Sequence, residues 1–234
     1  MKTTYLNHCG FSVELQEMTL IFDYYKGNIP ELPIDKPLYI FVSHGHKDHF
    51  NSEIFSLSHK YSNITYVLSN DITFDTLEEL VPDLALLLKD KIHFIGTNEN
   101  LTLLQEDFAI TIETLKSTDA GVAFLITTPD QTIYHAGDLN LWSWSDEPED
   151  ENLQMEIAFK EEINKIQGRH INLAFMTLDP RQEERYSLGF DYFMRTVTVD
   201  KVYPIHCWED YEIIDKLLKD PISEDYRDQI VKYR

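Results

Sequence analysis

Short apolar blocks separated by polar turns set the rhythm of this chain, and the period is mostly that of strands. Residues 5–8, 11–15 and 19–23 alternate or run apolar, with a polar turn at Gln16-Glu17, and predict three strands. Gly27, Pro30, Pro33 and Pro37 make 24–37 a loop. Leu38 to Val42 is an unbroken apolar run, which predicts a buried strand. Asn51 is placed to cap a short helix reaching about residue 58. Residues 64–69 predict a strand and 73–80 a helix, and Pro82 interrupts the pattern before 84–88. The second half repeats the style, with strands over 108–115, 122–127 and 132–135. A helix follows over 148–167, with Leu153, Ile157, Ile163 and Ile166 on its expected apolar face and Gly168 behind it. Strands at 171–177 and 202–205 and helices at 190–197 and 210–218 complete the reading.

This order is strand-rich then helical, twice over, with no linker-like stretch and no repeat. It predicts one α/β domain of two halves, about 1–105 and 106–234. Each half is a sheet with helices, and the sheets pack against each other with the helices outside.

Composition narrows the partners. The 234 residues are 43% hydrophobic and 12% aromatic, which suits a globular chain with a sizeable core. A net charge of −21 repels polyanions, so duplex nucleic acid is not an expected partner. No apolar run is long enough to span a membrane. A small anionic substrate stays open, because a bound cation reverses the field locally. Residues 146–151 with Glu161, Glu162, Glu183 and Glu184 carry much of the excess and read as a solvated face. Met1-Lys2-Thr3-Thr4-Tyr5 lacks the apolar stretch of a signal peptide, and Cys9 and Cys207 make no disulfide framework. The expectation is a cytoplasmic protein with reduced thiols, acting on a small molecule, with homo-oligomers allowed.

The densest chemistry lies just past the strand at 38–42. Ser43-His44-Gly45-His46-Lys47-Asp48-His49-Phe50 sets three histidines and an aspartate within six positions. Imidazoles and a carboxylate on a loop anchored by a buried strand are what a metal site requires. His44 and His46 suit one cation, and Asp48 and His49 on the following turn suit a second. Asp138 follows Gly137 at the end of the strand 132–135, and a carboxylate there could lie between two cations about 3.5–4 Å apart. His206, between Ile205 and Cys207-Trp208, is a further candidate imidazole.

These residues resemble the metallo-β-lactamase superfamily. His44-Gly45-His46-Lys47-Asp48-His49 matches its hallmark motif. Leu20-Ile21-Phe22-Asp23 resembles its strand ending in an aspartate, Ile133-Tyr134-His135-Ala136-Gly137-Asp138 the turn that delivers its bridging carboxylate, and Tyr203-Pro204-Ile205-His206 the strand that delivers its last histidine. The resemblance implies a four-layer αββα sandwich of two mixed β-sheets. It also implies a metal-dependent hydrolase with one or two divalent ions, zinc foremost, on His44, His46, Asp48, His49, Asp138 and His206. The short chain and the Gly137-Asp138 turn look most like the sugar-lactone hydrolase and phosphodiesterase-like branch.

One position departs from that pattern. Most binuclear members carry another histidine near Ser117, where this chain has Lys116-Ser117-Thr118-Asp119-Ala120-Gly121. Asp119 is the nearest strong ligand; otherwise a single ion sits on Asp48, His49, Asp138 and His206. An oxygen-richer site shifts preference toward Mn²⁺ or Fe²⁺. His8 and His135 are candidates to orient ligands, and Asp23 resembles the family's carboxylate beside the motif. Asp48 is the expected base for an activated water, and His8 is a candidate acid for the leaving group. Arg181, in Asp179-Pro180-Arg181, is a candidate to hold a substrate anion, with a surface salt bridge to Glu183 or Glu184 as its other reading. Trp142, Trp144 and Trp208 are candidate pocket walls, and Cys9 and Cys207 read as small buried apolar residues. Two other functions fit the sequence: a metal-binding or ligand-sensing module without turnover, and a di-iron redox protein.

Overall fold

Leu38–Val42 is buried at every position, as an unbroken apolar run requires of a strand covered on both faces. It is a central strand in the first of two units, Met1–Gly96 and Thr97–Arg234. The computed structural model describes residues 1–106 and 108–234.

The first unit is a mixed sheet of β1 (Lys2–Asn7), β2 (Gly10–Glu14), β3 (Thr19–Phe22), β4 (Leu38–Val42), β5 (Ile64–Ser69) and β6 (Ile92–Ile95), in that spatial order. β1, β2 and β3 pair antiparallel, and β3 through β6 run parallel. Parallel neighbours need crossovers. One is a 3₁₀ segment, Ser52–His59, whose first turn is capped by Asn51 Oδ1 accepting from Glu53 N at 2.9 Å. Another holds α1 (Phe74–Leu80), capped by Thr73, and α2 (Pro82–Leu87), which starts on Pro82. Leu38, Ile40 and Val42 alternate with Ile64, Tyr66 and Leu68 into one buried cluster with Phe55 and Leu77.

The second unit repeats the scheme. β7 (Asn100–Leu104), β8 (Ala109–Lys116), β9 (Val122–Thr127) and β10 (Thr132–His135) pair antiparallel. Beyond a two-stranded ladder of β11 (His170–Ile171) and β13 (Thr198–Val199), the main sheet continues with β12 (Leu173–Thr177) and β14 (Val202–Ile205) parallel to β10. α3 (Glu149–Asn164) connects β10 to β11 and α4 (Leu188–Thr196) connects β12 to β13, with α5 (Glu212–Lys219) after β14. The fold is α/β, with two mixed sheets and helices. Among the described residues, no helix is long and apolar enough to cross a membrane.

The structure corrects several expectations. β6 and β7 fall where no strand was expected: Ile-His-Phe-Ile is too short to show a period, and β7 is an edge strand with Leu104 exposed. The expected strand 171–177 breaks at Asn172, whose amide accepts from Thr132 N and donates to Asp200. The apolar face expected of α3 holds at its C-terminal end, where Ile163 and the following Ile166 are buried, and fails in its first half. Leu153 and Ile157 are exposed, while Asn152, Phe159, Glu162 and Ile163 are buried. Two polar residues belong inside because they serve backbone: Asn152 bonds Trp144 N and O, and Glu162 Oε2 accepts from Lys116 N at 3.0 Å.

Tyr134 is fully buried and stacks on Phe193, with ring centroids 4.7 Å apart. Its hydroxyl has no hydrogen-bond partner among the described residues. Burial, with Glu162 adding to it, pushes its ionisation far up. Because an unsatisfied buried hydroxyl costs about 1–3 kcal/mol, Tyr134→Phe should stabilise the protein by about 1 kcal/mol. That corresponds to a rise of about 2–4 °C in Tm for a chain of this size. A fall of similar size on thermal unfolding would show that the hydroxyl is bonded.

Candidate metal centre

In each unit, side chains with metal-binding chemistry follow the carboxyl ends of adjacent parallel strands. Asp23 follows β3, His44 to His49 follow β4 and Asp71 follows β5; Asp138, Asp179 and His206 follow β10, β12 and β14. Side chains beyond the ends of neighbouring parallel strands share one edge of a sheet, where α/β proteins carry their ligands.

In the first unit Asp23 is the organiser. Its Oδ1 accepts from Ser43 N at 2.8 Å, and its Oδ2 accepts from Ser43 Oγ at 2.7 Å and faces His49 Nδ1 at 2.8 Å. A carboxylate only accepts, so His49 carries its proton on Nδ1. The Ser43 hydroxyl proton is spent on Asp23, so Ser43 Oγ accepts from His44 Nδ1, 3.0 Å away. Both imidazoles are thereby assigned the tautomer with a lone pair on Nε2. The His44 ring lies 4.1 Å from that of His49 and 4.6 Å from that of the exposed His46. The turn is closed by His49 N and Phe50 N donating to the His46 carbonyl. Asp71 Oδ2 pins it further by accepting from Gly45 N at 2.8 Å.

His8 Nε2 lies 3.6 Å from Asp48 Oδ2, and the His8 ring stands edge-on to His49 at 5.5 Å. Asp48 is the more open of the two, with its side chain 31% exposed. The Cys9 thiol, expected to be packing alone, lies within 4.8 Å of ligand atoms of His8 and His49.

In the second unit His206 Nε2 lies 3.4 Å from Asp138 Oδ1, and both residues are buried. His206 Nδ1 meets Asp179 Oδ2 at 2.9 Å, so this imidazole too keeps its Nε2 lone pair. Burial raises the Asp179 carboxyl, but hydrogen bonds from His206 and Arg181 outweigh it and hold the group at about 2. The sequence did not single out Asp179 as a partner of His206. Arg181 lies against Asp179. The Asp138 turn is held by Trp142 Nε1 donating to Asp138 O at 3.0 Å and by Gln182 Nε2 donating to Leu141 O at 2.7 Å. Trp142 and Trp208 stand 5.4 and 5.5 Å from the His206 ring.

His135 differs in kind. Its Nδ1 accepts from Gly137 N at 3.1 Å, so its proton sits on Nε2, the reverse of His44, His49 and His206. Asp119 is exposed, and its N–H donates to Ser117 Oγ; Thr118 bonds the Asn140 backbone. The place expected for another histidine is occupied by hydroxyls engaged in the loop's own hydrogen bonds.

Backbone strain gathers at the same positions. His8, Asp23, His206 and Trp208 have φ of 50°, 40°, 65° and 49°. This left-handed region is costly for residues with a Cβ and is populated mainly where surrounding structure enforces it. In each unit the donor chemistry fits a divalent ion: Nε2 lone pairs of His44 and His49 with the Asp48 carboxylate in the first, and the His206 Nε2 lone pair with the Asp138 carboxylate in the second.

The family described as "Beta-lactamase superfamily domain" matches residues 13–159. A metal-dependent hydrolase of Desulforamulus reducens is 32% identical over 156 residues, covering 61% of this chain and 64% of the relative. The chain thus spans just under two thirds of the curated relatives it matches. Among solved structures, a metallo hydrolase from the archaeon Ignicoccus hospitalis superposes with a TM-score of 0.59 at 16% identity, covering 99% of this chain and 94% of that one. CmlA, a diiron β-hydroxylase from Streptomyces venezuelae, gives 0.57 at 12% identity, covering 87% and 44%. At these identities the likeness is one of fold.

Proposed function

Because the chain belongs to the metallo-β-lactamase superfamily, we propose that it is a metal-dependent hydrolase acting on a small ester, lactone or phosphodiester, neutral or anionic. One observation carries the reading. His44, His49 and His206 are each held by Nδ1, on Ser43, Asp23 and Asp179, and so keep Nε2 for a cation.

In this proposal His44, His46, Asp48, His49, Asp138 and His206 hold one or two ions, zinc first, with manganese or iron as alternatives. Such an ion supplies a water with pKa lowered to about 7 and a Lewis acid for the substrate's carbonyl or phosphoryl oxygen. Asp48 orients that water and takes its proton. His8, 3.6 Å from Asp48, returns a proton to the leaving group. The role of acid suits His8 because it is buried next to a carboxylate that can take up and return the proton. With a net charge of −21, the protein is proposed to act in the cytoplasm on a small molecule rather than on nucleic acid.

Elemental analysis of protein purified without added metal, with assays on bis-p-nitrophenyl phosphate, lactones and thioesters, tests the reading. Bound zinc, manganese or iron and turnover of one class are expected, both lost in His206→Ala. Asp119→Ala tests the remaining candidate ligand: unchanged metal content and activity would remove Asp119 from the site. Full activity in His206→Ala would overturn the proposal. A second reading, metal binding without turnover, draws on Ser117 and Thr118 standing where a histidine was expected; metal uptake with no turnover of any class would favour it.

A further inference from the structure

Arg181 turns its guanidinium onto a carboxylate with no exposed side-chain surface. Asp179 Oδ1 accepts from Arg181 N at 2.8 Å and Nε at 2.9 Å, and Oδ2 from Nε at 3.0 Å and Nη2 at 2.5 Å. The same Oδ2 faces His206 Nδ1. The head of the arginine is held in turn by indoles: its Cζ lies 4.6 Å from the Trp208 ring and 5.9 Å from the Trp144 ring. Its backbone is fixed on both sides, by the Asp179 cap and by Gln182, whose amide bonds Leu141 O and Asn140 Nδ2.

Neutralising Asp179 needs only a positive charge, which a lysine supplies. A planar fork, stacked on aromatics and bonded to both carboxylate oxygens, fixes orientation as well. We propose that Arg181 is a positioning residue for the cation site: it locks Asp179, which locks His206 by Nδ1 and so aims His206 Nε2. The inference rests on the reading of His206 as a metal ligand. Arg181 is thereby assigned to the polar frame behind His206, and its charge is committed to Asp179 rather than offered to a substrate anion.

Zinc affinity, measured by chelator competition on Arg181→Lys, Arg181→Ala and His206→Ala, tests this. Outer partners of ligating histidines are typically worth about 10–100-fold in metal affinity; Arg181 acts one step further out, through Asp179, so Arg181→Lys should lose about 3–10-fold while its metal-free form melts near the native temperature. Loading with Co²⁺ gives a second readout, because a reoriented imidazole shifts the ligand-field absorption bands and a purely structural change does not. Should Arg181→Ala fail to fold, Arg181→Lys decides alone. Arg181→Lys that binds zinc within about twofold of the native protein, with unchanged Co²⁺ bands, overturns the inference while His206→Ala still loses zinc. If His206→Ala binds zinc like the native protein, His206 is not a ligand, and the reading and the inference fall together.

Discussion

Asp23→Ala should destabilise the protein by about 2–6 kcal/mol, because two buried donors each lose an acceptor at about 1–3 kcal/mol, and weaken zinc binding by about 10–100-fold. The expectation follows from what the carboxylate holds. Without it the buried His49 Nδ1–H and Ser43 N–H lose their acceptors, at 2.8 Å each in the native protein. The Ser43 hydroxyl, freed from Asp23, turns its proton toward His44 Nδ1 and forces His44 into the other tautomer, removing its Nε2 lone pair. One substitution therefore disables two imidazoles, only one of which it touches. Asp23→Asn separates the effects. Asparagine tolerates the left-handed backbone and can still accept from Ser43 N. Its NH₂ group cannot accept the His49 proton, so affinity should fall with a smaller loss of stability. Urea unfolding and chelator competition read the two quantities, and native-like zinc binding by Asp23→Asn would refute the tautomer argument.

Asp48→Ala should lower turnover of whichever substrate class is accepted by about 10²–10⁴-fold, the usual contribution of a positioned general base. Stability should change little, because the side chain is part exposed and its polar neighbour His8 lies at 3.6 Å rather than at hydrogen-bond distance. Asp48→Asn, which keeps the shape and loses the basicity, should fall as far. Measuring kcat and metal content together on both variants distinguishes a lost base from a lost ligand. Undiminished turnover in either variant would remove Asp48 from the chemistry.

What could be read from the sequence divides along physical lines. The residues 44–49 were legible because ligand types crowd one turn after an unbroken apolar run. The strands at 38–42, 64–69 and 122–127 were legible because each is rich in β-branched, aromatic and other apolar residues over a strand's length, and the structure keeps those limits. Asp179 was not legible: Asp-Pro-Arg reads as a turn with a surface ion pair, and its partner His206 lies 27 positions onward. Asn152 and Glu162 were hidden for a related reason. Polar residues on an amphipathic helix read as its wet face, and only the placement of Trp144 and Lys116 beside α3 turns them inward. The apolar periodicity therefore favoured Leu153 and Ile157, which are exposed. Local pattern carries identity and period; it does not carry the long-range partners that orient a functional group.

The placement of these side chains beyond the ends of β3, β4 and β5, and of β10, β12 and β14, ties function to folding fidelity. A strand that slips by one residue moves its terminal side chain by about 3.3 Å and turns it to the opposite face. A collapsed chain with misaligned strands could match the native form in size and helix content and still present no coherent set of donors. Cation uptake is consequently a stricter criterion of successful renaturation than circular dichroism or compactness, and refolded preparations are best ranked by it.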